Sequence, residues 1–186
     1  KAQAKIDLYH DNIEEKTMEL VLTPNKKTID EVSDFLKLNK KDIVKSMVYR
    51  NLANNELVLV MVRGDREVNP IKVINALKIA EHELVLATAE DILEIHSFEG
   101  FVGPVGLNIK TLVDEEVAYM HNIVVGANKK DYHLTCVNFK RDFDGEVFDL
   151  RIVSKNDLCP ICGNPLKMEK GIEMGQIFKL GTKYSL

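Results

Sequence analysis

The hydrophobic period of the chain changes several times, and each change marks an element. Leu20-Val21-Leu22-Thr23-Pro24 is a short apolar run stopped by proline, which cannot donate to a ladder, so a strand ending near Thr23 is expected. Thr28 followed by Glu31 forms a capping box, and Ile29, Val32, Phe35 and Leu36 then share one helical face. Asn39 is a second N-cap, for a helical turn over residues 40–45. Met47-Val48-Tyr49 and residues 56–62 read as the strands of a hairpin turning at Asn54-Asn55. Asn69-Pro70 opens a helix to about Lys78, with proline at the first position, where its missing N–H is no loss.

Residues 84–87 form the next expected strand, and Thr88 caps a short helix over 89–96. Beyond a glycine-rich loop, residues 109–113 are a strand with Asp114 at its end, and 116–120 a helical turn. Residues 123–125 lead into the turn Gly126-Ala127-Asn128. Residues 132–139 make a strand that carries His133 and closes at Arg141-Asp142-Phe143. Residues 146–153 fit strand or helix equally well. Strands outnumber helices and several are joined by short turns. The expected class is α/β (α+β), a mixed, mostly antiparallel sheet with helices packed around it. Residues 1–19 have few apolar groups and no period, and residues 154–186 differ from the rest by their cysteines and glycines. The chain therefore divides into 1–19, 20–153 and 154–186, with no internal repeat.

Composition narrows this picture. A chain of 186 residues is one domain with an appendage, and at that size roughly 70% of the extended-chain surface can be buried. Hydrophobic residues at 45% and charged residues at 29% are those of a soluble globular protein, and no apolar run is long enough to span a membrane. The first residues are polar, so no export signal is expected, and the opening Lys1 leads us to expect a piece of a longer protein. A net charge of −4 argues against wholesale nucleic-acid coating. Lys40, Lys41, Lys45, Lys129, Lys130 and Lys140 are nonetheless candidates for a phosphate track, or equally for a solvated face. Three cysteines without an export signal point to a reducing compartment and no disulfide framework.

Two stretches carry candidate chemistry. Gly100-Phe101-Val102-Gly103-Pro104-Val105-Gly106-Leu107 interleaves three glycines and a proline with apolar side chains. Glycine permits φ > 0 and close backbone approach while proline fixes φ, so this is a shaped turn able to aim N–H groups at a ligand. A plain tight connection between strands is the alternative. The second stretch, Cys159-Pro160-Ile161-Cys162-Gly163, is half of a zinc ribbon. Structural zinc wants four ligands, and Cys136 is the remaining cysteine, so a knuckle turn with free thiols is expected and no metal.

Together these residues carry a resemblance. Thr-Ile-Asp-Glu-Val from Thr28, Ile43-Val44-Lys45-Ser46, the glycine loop, Val113-Asp114, Gly126-Ala127-Asn128, His133, Val137-Asn138 and Arg141-Asp142 resemble the editing (insertion) domain of bacterial-type prolyl-tRNA synthetase. The tail, Cys-Pro-x-Cys-Gly and then residues 171–185, is similar to the point where such enzymes return to the aminoacylation core. The family usually shows Gly-His-Ile-Phe-Gln-Leu there, against Gln176 and Lys179 here. Free-standing aminoacyl-tRNA deacylases share the fold and lack this tail.

The resemblance implies an aminoacyl-tRNA deacylase-like fold. Residues 1–19 would be the lead-in from the synthetase core, 20–153 the editing domain and 154–186 the return. It implies post-transfer editing, the hydrolysis of the ester of alanyl-tRNA(Pro). A pocket built for proline cannot strongly reject the smaller alanine, because missing methylenes change binding by only about 1–3 kcal/mol. A catalytic role falls on Lys45, Gly100 and Gly103, the glycines offering backbone N–H groups to the oxyanion. Pro104, Asp114 and His133 would contact substrate, Asp114 near the α-ammonium and His133 setting pocket size. Asn138, Arg141 and Asp142 would be supports, and Cys136 stands where the family more often has glycine. Hydrolysis would be assisted by a ribose hydroxyl of the terminal adenosine, with no metal or other cofactor. ATP and Mg would belong to the synthetic core outside this chain. Implied partners are the tRNA(Pro) acceptor end and the remainder of a cytoplasmic, homodimeric synthetase, with no membrane. A non-catalytic module that binds a tRNA end or a partner protein through a decayed site stays open, as does a zinc-ribbon interaction protein.

Overall fold

The computed structural model describes residues 2–6, 13–155 and 157–169. Its centre is β3 (Glu56–Arg63), buried at every position after the first. A strand buried on both faces reads as a continuous apolar run, and Leu57-Val58-Leu59-Val60-Met61-Val62 is one. β3 forms the expected hairpin with β2 (Val44–Asn51). β4 (Leu84–Leu86) pairs on the outer side of β2, while β5 (Lys110–Asp114) and β8 (Glu146–Phe148) extend the sheet in parallel beyond β3. The strand order is β4-β2-β3-β5-β8.

A second, antiparallel sheet has the order β1-β7-β6, from β1 (Glu19–Leu22), β6 (Ile123–Gly126) and β7 (Tyr132–Val137). An isolated parallel bridge, Ile43 to Val124, links it to the first. The mixed, mostly antiparallel architecture is as expected, divided into two sheets. Val44, Val48, Leu59 and Met61 face Val117, Ile123, Val125 and Val137 in the core between them. On the opposite face, Tyr49, Val58, Val60 and Val62 pack with Val73, Leu112 and Leu150. Each such side chain contributes roughly 1.5–3 kcal/mol when fully buried.

The helices begin where the capping residues say. Thr28 and Glu31 close a capping box on α1 (Ile29–Leu36). The Asn69 side chain caps α2 (Pro70–Leu77), and Thr88 with Asp91 caps α3 (Ala89–Glu94). α4 (Glu115–Ala118) follows β5 directly, with Asp114 as its N-cap. The turn capped by Asn39 is a 3₁₀ turn over Lys40–Asp42, so Lys45 lies inside β2, which starts earlier than the sequence pattern indicated. β7 is bulged: the register shifts between Ile123 and Val125, and Cys136 takes φ 57°. That left-handed conformation suits glycine at a bulge, which is the residue expected more often at this position. Segment 2–6 lies against the tail, with Lys5 N–H donating to the Leu158 carbonyl at 2.7 Å. Among the described residues no helix is long and apolar enough to cross a membrane. Residues 171–185, where the tail motif lies, fall outside the described residues.

Candidate active site

A cavity of about 770 Å³ opens along the outer edge of β2. One wall is Val44–Val48 of that strand, with Leu86 and Ala87 where β4 ends. The start of α1 and the residues before it, Lys27–Val32, close a second side. Gly100 and Val102 of the glycine loop, Gly126 of β6 and His133 of β7 close the third. The sequence-predicted Lys45, Gly100 and His133 thus line one space.

The loop is held by close backbone contact. A Cβ on Gly103 would lie 1.8 Å from the Gly126 carbonyl oxygen, and one on Gly126 would lie 2.3 Å from the carbonyl oxygens of both Phe101 and Val102. Two glycines, one in the loop and one at the end of β6, therefore let the two backbones touch. Gly100 has φ +83°, and a Cβ there would meet the Lys27 side chain at 2.6 Å. Asn128 clamps the loop from the turn after β6. Its Oδ1 accepts from Gly103 N–H at 2.9 Å and from Ser97 Oγ at 2.8 Å, and its Nδ2 donates to the carbonyls of Gly103 and Val105. Sequence reasoning found the Gly126-Ala127-Asn128 turn and missed this clamp. Its only signal was a polar amide flanking a glycine that ends a strand.

Lys45 is half-buried at the cavity. Its Nζ donates to Glu67 Oε1 at 2.7 Å and to the Arg66 carbonyl at 3.1 Å. His133 is buried, hydrogen-bonded through Nδ1 to the buried Thr23 Oγ1 at 2.7 Å and edge-on to Phe101. Burial pulls its pKa from 6.5 down to about 4. The ring is therefore neutral at pH 7 and presents shape and a hydrogen bond rather than charge. The unfolded chain takes up this proton near pH 6.5 and the folded one only near 4, so stability is lost as the pH is lowered across that window. The expected loss is about 3 kcal/mol. Urea titrations of the protein and of His133→Gln at pH 7 and pH 4.5 should show the extra acid sensitivity in the former alone.

Three residues stand differently from their expected roles. Asp114 is fully buried and does not line the cavity. Its Oδ2 accepts from the N–H groups of Leu150 and Arg151 at 2.8 and 3.1 Å, and its Oδ1 from Glu116 N–H at 3.0 Å. Arg151 Nη1 is 3.4 Å from the same carboxylate. It has nothing to offer an ammonium in the cavity and acts as a structural anchor between α4 and the segment after β8. Gly103 N–H is committed to Asn128, so it is not a free oxyanion donor. Pro104 does not line the cavity. Gly100 N–H, by contrast, has no acceptor among the described residues. Asn138 and Arg141 brace the bulge: Asn138 Oδ1 accepts from Asn122 N–H, and Arg141 Nη2 donates to the Cys136 carbonyl at 2.7 Å.

The Cys159–Cys162 knuckle is a tight turn, with Cys159 N–H donating to the Asn164 carbonyl and Gly163 N–H to the Cys159 carbonyl. N–H groups of Cys162 and Ile161 hold the Cys159 thiol below its usual pKa. Among the described residues no group of three His, Cys, Asp or Glu could hold a metal ion.

The β-rich fold carries a cavity lined by the glycine loop, Lys45 and His133, and comparison with known proteins says to which family such a chain belongs. Residues 23–143 match the family model of the aminoacyl-tRNA editing domain, so the chain belongs to that family. It is similar to "Proline--tRNA ligase" of Finegoldia magna, 42% identical over the whole chain and 32% of that protein. The corresponding ligase of Caldicellulosiruptor saccharolyticus is 50% identical over 94% of the chain and 30% of its own length. The chain thus spans about a third of the curated relatives it matches. In fold it is similar to the crystal structure of a candidate trans-editing enzyme for prolyl tRNA synthetase, with a TM-score of 0.60 and 20% identity, covering 73% of this chain and 87% of that one. The expected family and fold are both found.

Proposed function

We propose that this chain is the editing domain of a proline–tRNA ligase and hydrolyses the ester of tRNA(Pro) mischarged with alanine. The observation that carries the reading is the meeting of Lys45, Gly100 and His133 on one cavity in a chain of the aminoacyl-tRNA editing family. The reaction needs an attacking water, a donor for the developing oxyanion and a grip on the tRNA end. Water oxygen bonds to the acyl carbon, the bond from that carbon to the ribose oxygen breaks, and the ribose oxygen takes a proton. A neighbouring ribose hydroxyl orients the water. Gly100 N–H is the loop donor left for the oxyanion.

Lys45 meets the phosphate or the bound ester. Its ammonium is already desolvated on one side and held by Glu67, so an incoming anion finds it ordered. Neutral His133, held edge-on by Phe101 behind it, is the wall that limits the acyl group by size, while Ile43, Val44, Val48 and Ile92 line the rest. The partners in this reading are the acceptor end of tRNA(Pro) and the remainder of the ligase.

The test is deacylation of alanyl-, cysteinyl- and prolyl-tRNA(Pro). Alanyl ester should be hydrolysed fastest and prolyl ester spared. Lys45→Ala should lower kcat/KM for the alanyl ester by on the order of 100-fold, the scale of losing one charge-stabilising donor, with little change in tRNA retention on filters. No hydrolysis of any of the three esters at high protein concentration would overturn the reading in favour of a binding module.

A further inference from the structure

The outer edge of β2 is covered at both ends and open in the middle. At one end Ile43 bridges to Val124 next to β6. At the other, β4 pairs from Tyr49, and Ala87 N–H donates to the Val48 carbonyl at 3.0 Å. Backbone groups on an antiparallel strand alternate sides. Val48 therefore points its carbonyl away from β3, while Ile43 points its own toward β3, accepting from Gly64 N–H at 2.8 Å. Ser46 shares the parity of Val48. Its N–H and C=O face the open edge, where no strand among the described residues pairs with it. The Ser46 hydroxyl is likewise without a hydrogen-bond partner among the described residues. Ser46 lines the same cavity as Gly100, Val102 and His133.

We infer that the Ser46 backbone is the recognition edge for the aminoacyl group. This rests on reading the cavity as the aminoacyl-ester site. An α-amino acyl ester carries an ammonium and a carbonyl on either side of one Cα, as a strand residue carries its N–H and C=O. Such a group pairs with Ser46 as a single added residue of the sheet: its ammonium donates to the Ser46 carbonyl and its acyl oxygen accepts from Ser46 N–H. The arrangement supplies the acceptor that Asp114, buried elsewhere, does not. It also offers the oxyanion a second N–H besides that of Gly100. Because the contact uses only main-chain atoms of the substrate, it fixes orientation while the apolar walls read side-chain size.

The test removes one atom pair from each side. Ser46 is replaced in the protein by its α-hydroxy analogue, which converts the amide to an ester and deletes the N–H. Since that N–H has no partner among the described residues, thermal stability should be unchanged, while kcat on alanyl-tRNA(Pro) falls about 10- to 100-fold with KM little altered. On the unaltered protein, propionyl-tRNA(Pro) lacks the ammonium and keeps the methyl. Its acceleration over its own spontaneous hydrolysis should be at least roughly tenfold smaller than that of the alanyl ester. Unchanged kcat in the α-hydroxy variant, a loss of stability in it, or equal acceleration of the two esters would each overturn the inference. If Lys45→Ala also leaves alanyl ester hydrolysis untouched, the reading of the cavity itself has failed, not merely the role of Ser46.

Discussion

Replacing Asp114 with alanine should destabilise the domain by about 3–5 kcal/mol, the cost of breaking a buried ion pair from one side. The carboxylate has no exposed surface and accepts from three backbone N–H groups besides facing Arg151. Arg151 is itself buried, with Glu116 Oε2 3.6 Å from its Nε and the Ala4 carbonyl accepting from its Nη2 at 3.3 Å. Glu116 also receives both arms of Arg66, whose third nitrogen reaches Asp157. Truncation at Asp114 leaves a guanidinium and three main-chain donors without their acceptor, in a place water does not reach. Burial holds the Asp114 carboxyl above the usual carboxylate range, against the pull of Leu150 N–H and Arg151. A carboxyl raised on folding adds stability below its unfolded pKa and loses it as pH rises through the folded one. The deficit of Asp114→Asn relative to the parent should therefore be smaller than that of Asp114→Ala, since the amide keeps one acceptor and carries no buried charge. Urea unfolding measures both. Hydrolysis per folded molecule should stay near the parent value, which a substrate contact would not permit.

The same residue shows what sequence can and cannot supply. Strand–turn chemistry placed Asp114 at the end of a strand, where it is, but a strand end can face a cavity or a neighbouring segment. The choice was made by Leu150 and Arg151, distant in sequence, whose N–H groups had no other acceptor. β8 was ambiguous for a related reason: a three-residue strand pairing in parallel with β5 leaves no local period to read. Local signals fared better. The capping boxes at Thr28 and Thr88, the Asn69-Pro70 start and the continuous apolar run of β3 were all visible, because each depends on residues within one turn or one strand. Lys45, Gly100 and His133 were legible as a set only through the family resemblance, since three separate elements bring them together. Ser46 stood in the sequence only as the neighbour of Lys45 in a matched motif; the role proposed for it depends on which strands leave it uncovered.

Gly126→Ala should be the most damaging single change at the cavity wall, costing about 3 kcal/mol or somewhat more in stability, at the upper end of overpacking effects. The added methyl would lie 2.3 Å from two carbonyl oxygens of the glycine loop and 2.4 Å from the Phe101 carbonyl carbon. These are main-chain atoms and cannot swing aside as a side chain does, so either the loop lifts or β6 shifts. β6 is pinned by its ladder with β7 and by the Ile43 bridge, which leaves the loop to move. Lifting the loop strains the four Asn128 hydrogen bonds to Ser97, Gly103 and Val105 together, and the Phe101 edge contact to His133 with them. Gly103→Ala attacks the same contact from the other side and should resemble it. Gly106→Ala is the control: nothing lies within 4 Å of its added Cβ, and only its φ of +75° resists. That substitution should cost about 1 kcal/mol and leave the cavity wall seated. Thermal unfolding combined with hydrolysis of alanyl-tRNA(Pro) separates the cases. Gly126→Ala and Gly103→Ala should lose activity even below their unfolding transitions, while Gly106→Ala keeps it. Equal activity in all three would mean that the backbone contact between β6 and the loop does not shape the site.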